Sequence, residues 1–163
     1  FLNRIGTKKN ININYMLSSN LMGLTNTSAK IETLYNNIEP KNNSLIAYDW
    51  FIWSKVILDG FKVFFTPSIT TRYRVHNNNI SNINEKLDLE SIKLGIKVKY
   101  EHYAELSSYN IKYVNLLQKF EYAYSRINDE IWFKQYVKDI KLNNIVFPFW
   151  WEKIIVPNNI GLK

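Results

Sequence analysis

No cysteine occurs anywhere in the 163 residues, which excludes a disulfide framework and any thiolate metal centre and suits a reducing cytoplasm. No apolar run approaches the ~20 residues that a membrane-crossing helix needs. The opening residues, FLNRIGTKKN, carry charge but none of the apolar core of a secretory signal. Also missing are a glycine-rich phosphate loop, a zinc-ligand spacing and a Ser–His–Asp order. Of the histidines, His102 lies in a helical, charged setting and is assigned no chemistry. Phe1, in the place of an initiator methionine, predicts a piece of a longer chain.

What is present argues for a folded chain. A hydrophobic fraction of 46% and an aromatic fraction of 15% are too high for a disordered polypeptide. The length suffices for one core and a small second lobe. Twenty-one Lys and Arg against 14 Asp and Glu leave a net charge of +7. That balance favours anionic partners: phosphorylated sugars, nucleic acid or an acidic membrane surface.

Residues 47–81, AYDWFIWSKVILDGFKVFFTPSITTRYRVHNNNIS, organise the rest. Asp49 stands where a helix is expected to begin, and Asp59-Gly60 is a helix stop. Trp53, Val56, Ile57 and Gly60 fall at helical spacing and define its packed side. Residues 61–66 read as a strand, Pro67 interrupts it, and 69–76 resume an alternating pattern. That alternation places Arg72, Arg74 and His76 on one face, a combination suited to a phosphate with or without a metal ion. Asp49 has a structural role available as well, because an aspartate at a helix start accepts backbone N–H groups. Trp50 is a core residue by default, although an exposed indole also stacks on sugar rings.

The order of these features resembles the second half of a family 2 glycosyltransferase. Asp49-Trp50 opens the pattern, Gly60 and Pro67 punctuate it, and Tyr73, Arg74, His76 and Asn79 close it. The resemblance covers about half of the chain. It implies an α/β fold: an incomplete GT-A-type, Rossmann-like half-domain over 1–82, followed by a helical extension over 83–163. It implies transfer of a sugar, with inversion, from a nucleotide-sugar donor to a glycan or glycolipid hydroxyl. Asp49 would be the base that activates that hydroxyl, with Trp50 and Gly23 beside the acceptor. Arg72 and Arg74 would meet the donor phosphates, and His76 would help hold a divalent cation, Mg or Mn. The implied location is cytoplasmic, at the inner face of the membrane, with peripheral membrane contact.

This chain departs from the family pattern in two ways. Tyr48 precedes Asp49 where an acidic pair is common, and the usual Asp-x-Asp metal motif is absent. Asp88-Leu89-Glu90 and Asp129-Glu130 read instead as solvated helix faces. Without the nucleotide-binding strands, the fragment alone is expected to be inactive. The rival reading is a basic helical module that binds nucleic acid, a protein partner or a membrane surface. Nucleic acid is not expected, because the aromatic residues fall on helical core stripes.

Around this stretch, residues 13–22 read as a strand, Gly23 as a turn and 29–35 as a helix. Loops are expected at 36–44 and 77–82. Beyond 85 the pattern turns helical. Leu89, Ile92, Ile96, Tyr100 and Tyr103 make one stripe, with Lys97 and Glu101 able to pair on its polar side. Tyr109, Tyr113, Leu116, Phe120 and Tyr124 make a second, and Phe133, Val137 and Ile140 a third. Residues 147–151, FPFWW, are core or a lipid-docking surface.

Overall fold

The computed structural model describes residues 10–35, 39–43, 45–66, 68, 88–142 and 150–157. Contacts divide the chain into two units, Phe1–Arg74 and Val75–Lys163. In the first unit, strand β1 (Asn10–Ile11) pairs antiparallel with β2 (Val63–Phe64), Asn10 facing Phe64 and Ile11 facing Val63. Three helices accompany the pair: α1 (Ile13–Met16), α2 (Ile31–Tyr35) and α3 (Tyr48–Leu58). Helix α3 is the centre of this unit. Trp50, Phe51, Ile52, Trp53 and Val56 are all buried, and both α1 and α2 pack against it.

The α/β expectation is overturned. Among the described residues, six α-helices stand against one sheet of two short strands, which is not a GT-A-type or Rossmann-like half-domain. Local hydrogen bonds explain the first loss of strand. The Asn12 side chain accepts from Asn14 N at 3.0 Å and starts a helical turn where residues 13–22 were expected to extend. Ser19 Oγ then donates to Tyr15 O at 3.0 Å, and Asn20 Oδ1 accepts from Met22 N at 3.0 Å. Side chains that satisfy the backbone locally compete with a strand ladder. Of residues 61–66, only Val63 and Phe64 pair, because β1 offers them a partner two residues long. Phe61 and Phe64 remain exposed, so no buried sheet face forms there.

The ends of α3 follow backbone chemistry. Its N-cap is Ala47, which makes no side-chain cap, and Asp49 lies in the first turn. At the other end Gly60 takes φ +88°, and its N–H reaches Ile57 O while Phe61 N–H reaches Val56 O. These two bonds form a Schellman motif, the helix stop expected at Asp59-Gly60. Lys55 Nζ closes on Asp59 Oδ1 at 2.6 Å across the last turn.

The second unit is helical, as expected from residue 85 onward. Asp88 caps α4 (Leu89–Leu106) by accepting from Ser91 N at 2.7 Å. Asn110 caps α5 (Ile111–Ser125) through Lys112 N at 3.0 Å. Asp129 accepts from Ile131 N and Trp132 N ahead of α6 (Glu130–Leu142). A 3-10 turn, Trp150–Lys153, packs on α4. Tyr103 packs 5.3 Å from Phe120 across α4 and α5, and Tyr100 stacks on Tyr124 at 4.8 Å. Phe133, Tyr136, Val137 and Ile140 bury the third stripe.

The stripes do not run to their ends: Leu89 and Tyr109 are exposed. Lys97 and Glu101 pair at 3.7 Å. Of the aromatic run, residues 147–149 lie outside the described residues. Trp151 is buried, so that ring is core and is closed to lipid. Among the described residues no helix is long and apolar enough to cross a membrane.

Candidate functional site

Asp49 is the one proposed catalytic group whose surroundings are defined. It is half-buried, and its Oδ1 accepts from Trp50 N at 2.8 Å. The Asn20 side-chain amide and the backbone N–H of Asp49 also donate to the carboxylate. Burial raises the proton affinity of the carboxyl above the ordinary aspartate value, and the three hydrogen bonds only partly offset that rise. The carboxylate therefore holds its place through neutral donors, two in the first turn of α3 and one from the segment that follows α1. A helix N-terminus also favours the anion and so opposes the effect of burial.

Trp50, expected beside the acceptor, is fully buried at 0% exposure. Its Nε1–H donates to Met16 O at 2.6 Å, which ties α3 to the end of α1. The indole therefore has no open face for a sugar and serves as a core anchor one residue from Asp49. Gly23 lies in a turn closed by Asn26 N to Gly23 O at 3.2 Å, and its own N–H donates to Asn26 Oδ1 at 2.7 Å. A Cβ at this position would meet that Oδ1 at 3.3 Å. Close approach of the Asn26 side chain, not positive φ, is what favours glycine here. The turn follows Asn20 by three residues, so it leaves the same segment that supports Asp49.

Arg72, Arg74 and His76 lie outside the described residues, as do Tyr73 and Asn79. Among the described residues no group of three His, Asp or Glu side chains converges as a metal cradle. The described residues thus define the surroundings of Asp49, Trp50 and Gly23, while the residues expected at the donor lie outside them. Comparison with protein-family models, with curated proteins and with solved structures finds no match to this chain.

Two buried polar features escaped the sequence reading. The first is Asn20, 4% exposed, which lies within the 13–22 stretch read as a strand. Its signal was a lone amide directly before Leu21 and Met22, both buried. The second belongs to the other unit. Lys99, His102 and Glu152 are buried there, and Lys99 Nζ donates to Ile154 O at 2.6 Å. Burial drives Lys99 down to about 7, against the opposing pull of the Glu152 charge. His102 is held well below its ordinary value, first by burial and then by the Lys99 charge. Lys99 falls between Ile96 and Tyr103 on the apolar stripe, and that position was the legible sign of its burial.

Proposed function

We propose that the chain is the acceptor-side part of a nucleotide-sugar-dependent glycosyltransferase and that Asp49 is its general base. The supporting observation is a half-buried carboxylate with raised proton affinity, held by neutral donors in the first turn of a well-packed helix. Asp49 takes the proton of a glycan or glycolipid hydroxyl as the hydroxyl oxygen forms its bond to the anomeric carbon. The bond from that carbon to the diphosphate oxygen breaks, and its electron pair leaves with the nucleotide. Attack from the face opposite the leaving group inverts the centre. A carboxylate with raised proton affinity is a better base than one left in water, and such assistance typically contributes ~10²–10⁴-fold.

In this reading Arg72 and Arg74 meet the donor phosphates, and His76 is the candidate for contact with Mg or Mn. Trp50 acts by fixing the helix that carries the base.

The test is nucleotide diphosphate release by the complete enzyme, across a panel of nucleotide sugars and glycan acceptors with Mg or Mn. Asp49→Asn keeps the shape and an acceptor for Trp50 N–H but cannot take the hydroxyl proton. Turnover should fall by at least ~10²-fold, with the melting temperature and donor binding little changed. Full turnover in Asp49→Asn, with or without a lower melting temperature, would refute the base.

A further inference from the structure

We propose that Asn20 is the positioning residue for Asp49: its Oδ1 is held by Met22 N–H, and its amide donates to the Asp49 carboxylate. This deepens the reading of Asp49 as a base and rests on it.

The geometry leaves Asn20 few alternatives. It is 4% exposed, so water does not readily replace either bond. The Met22 N–H bond at 3.0 Å fixes which end of the amide is oxygen, because only oxygen can accept from an N–H. The Nδ2 end is thereby left to donate to a carboxylate, which can only accept while ionised. Backbone atoms thus set the orientation of the amide, and the amide sets the orientation of the carboxylate. Trp50 N–H holds Oδ1 at 2.8 Å, and the Trp50 ring is anchored to Met16 O. Asp49 is clamped between the segment that follows α1 and the first turn of α3. A clamp of this kind restricts χ1 and χ2 of a short side chain, so the free oxygen lone pairs keep one direction.

Besides Asp49, the titratable residues carried by α1, α2 and α3 are Tyr15, Glu32, Tyr35, Tyr48 and Lys55. Lys55 is paired with Asp59. Burial and hydrogen bonds, rather than a charge from these groups, set the proton affinity of Asp49. The loss of one donor should therefore be readable in its titration.

The experiment needs no substrate. The Asp49 Cγ resonance and the Asn20 side-chain amide protons are followed by NMR through an acid titration of the intact chain. The two residues should share one midpoint, above the ordinary aspartate range. Removing a donor to the ionised form favours the protonated one, so Asn20→Ala should move the Asp49 midpoint further upward. A purely structural asparagine would leave that midpoint where it was.

The proposal is overturned if the Asn20 amide protons ignore the Asp49 titration, or if folded Asn20→Ala leaves the midpoint unchanged. Should Asn20→Ala not fold, co-titration in the native chain decides alone. Shared titration alongside full turnover in Asp49→Asn keeps the clamp and removes the base. Independent titration alongside lost turnover keeps the base and removes Asn20.

Discussion

Replacing Lys99 with methionine deletes a buried ammonium and one hydrogen bond while keeping most of the side chain's length. The native pKa is about 7 against an ordinary 10.5, and the side chain is buried. Between those two values the unfolded chain holds a proton that the folded chain has released. Stability must then rise with pH by about 1.4 kcal/mol per unit, or roughly 3 kcal/mol over two units inside the window. Below pH 7 both states carry the proton, and the contribution of Lys99 is flat at its least favourable level. Above about pH 10 the sign reverses, because burial raises Tyr103 and Tyr136 and the unfolded chain loses protons that the native chain keeps. His102 acts on the acid side: its native form stays neutral, so stability falls as pH drops through its ordinary value of 6.5.

Lys99→Met should remove the rise above neutral pH. It also strips Ile154 O of its donor, at a cost of about 1–3 kcal/mol. The variant is thus the less stable protein in alkali, and the difference shrinks or reverses on acidification to pH 7. Urea unfolding at a series of pH values, read from NMR cross-peaks of α4 and α5, measures both curves. A flat native curve between pH 7.5 and 9.5, or an equal slope in Lys99→Met, would refute the reasoning.

Two other changes test the first unit. Gly60→Ala should destabilise by about 1–2 kcal/mol from its φ of +88°, less up to about 1 kcal/mol from a stiffer unfolded chain. Since a Cβ there meets nothing within 4 Å, a much larger loss in a thermal melt would point to a contact not accounted for. Trp50→Phe leaves Met16 O without its indole donor and should cost about 1–3 kcal/mol for that group, plus lost packing, by urea unfolding. Unchanged stability with selectively weaker acceptor binding would restore the stacking role that burial argues against.

Helix was legible wherever a periodic stripe ended in its own punctuation. Asp59-Gly60 stopped α3 as expected, and the stripes through Ile92, Ile96, Tyr113 and Phe120 became the core of the second unit. Strand was not legible, because branched and aromatic residues at 13–22 and 61–66 report side-chain preference and not the presence of a partner. Asn12 and Ser19 spent their hydrogen bonds locally, and β2 found a partner only two residues long. Among the candidate site residues, Asp49 stood out by its place at a helix start, and it lies in the first turn of α3. The burial of Trp50 was open in the sequence, because an indole suits either a core or a sugar. Asn20 was illegible as a support, since its value depends on a contact across nearly thirty residues of sequence.

The position of Asp49 within α3 bears directly on what its carboxylate can do. An N-cap side chain aims its oxygen at the N–H groups of the second or third helical residue. Ala47 holds the cap position here, and Asp49 stands two residues further in. An ionised carboxylate offers about four acceptor sites. The Trp50 N–H, the Asn20 amide and the N–H of Asp49 itself all donate to it. The group is only partly buried, in contrast to its neighbour Trp50. A fully capped aspartate, turned into the backbone, would have stability to offer and little chemistry. Three neutral donors and partial exposure describe a carboxylate that is fixed in direction and, in the proposed reading, open to an incoming hydroxyl.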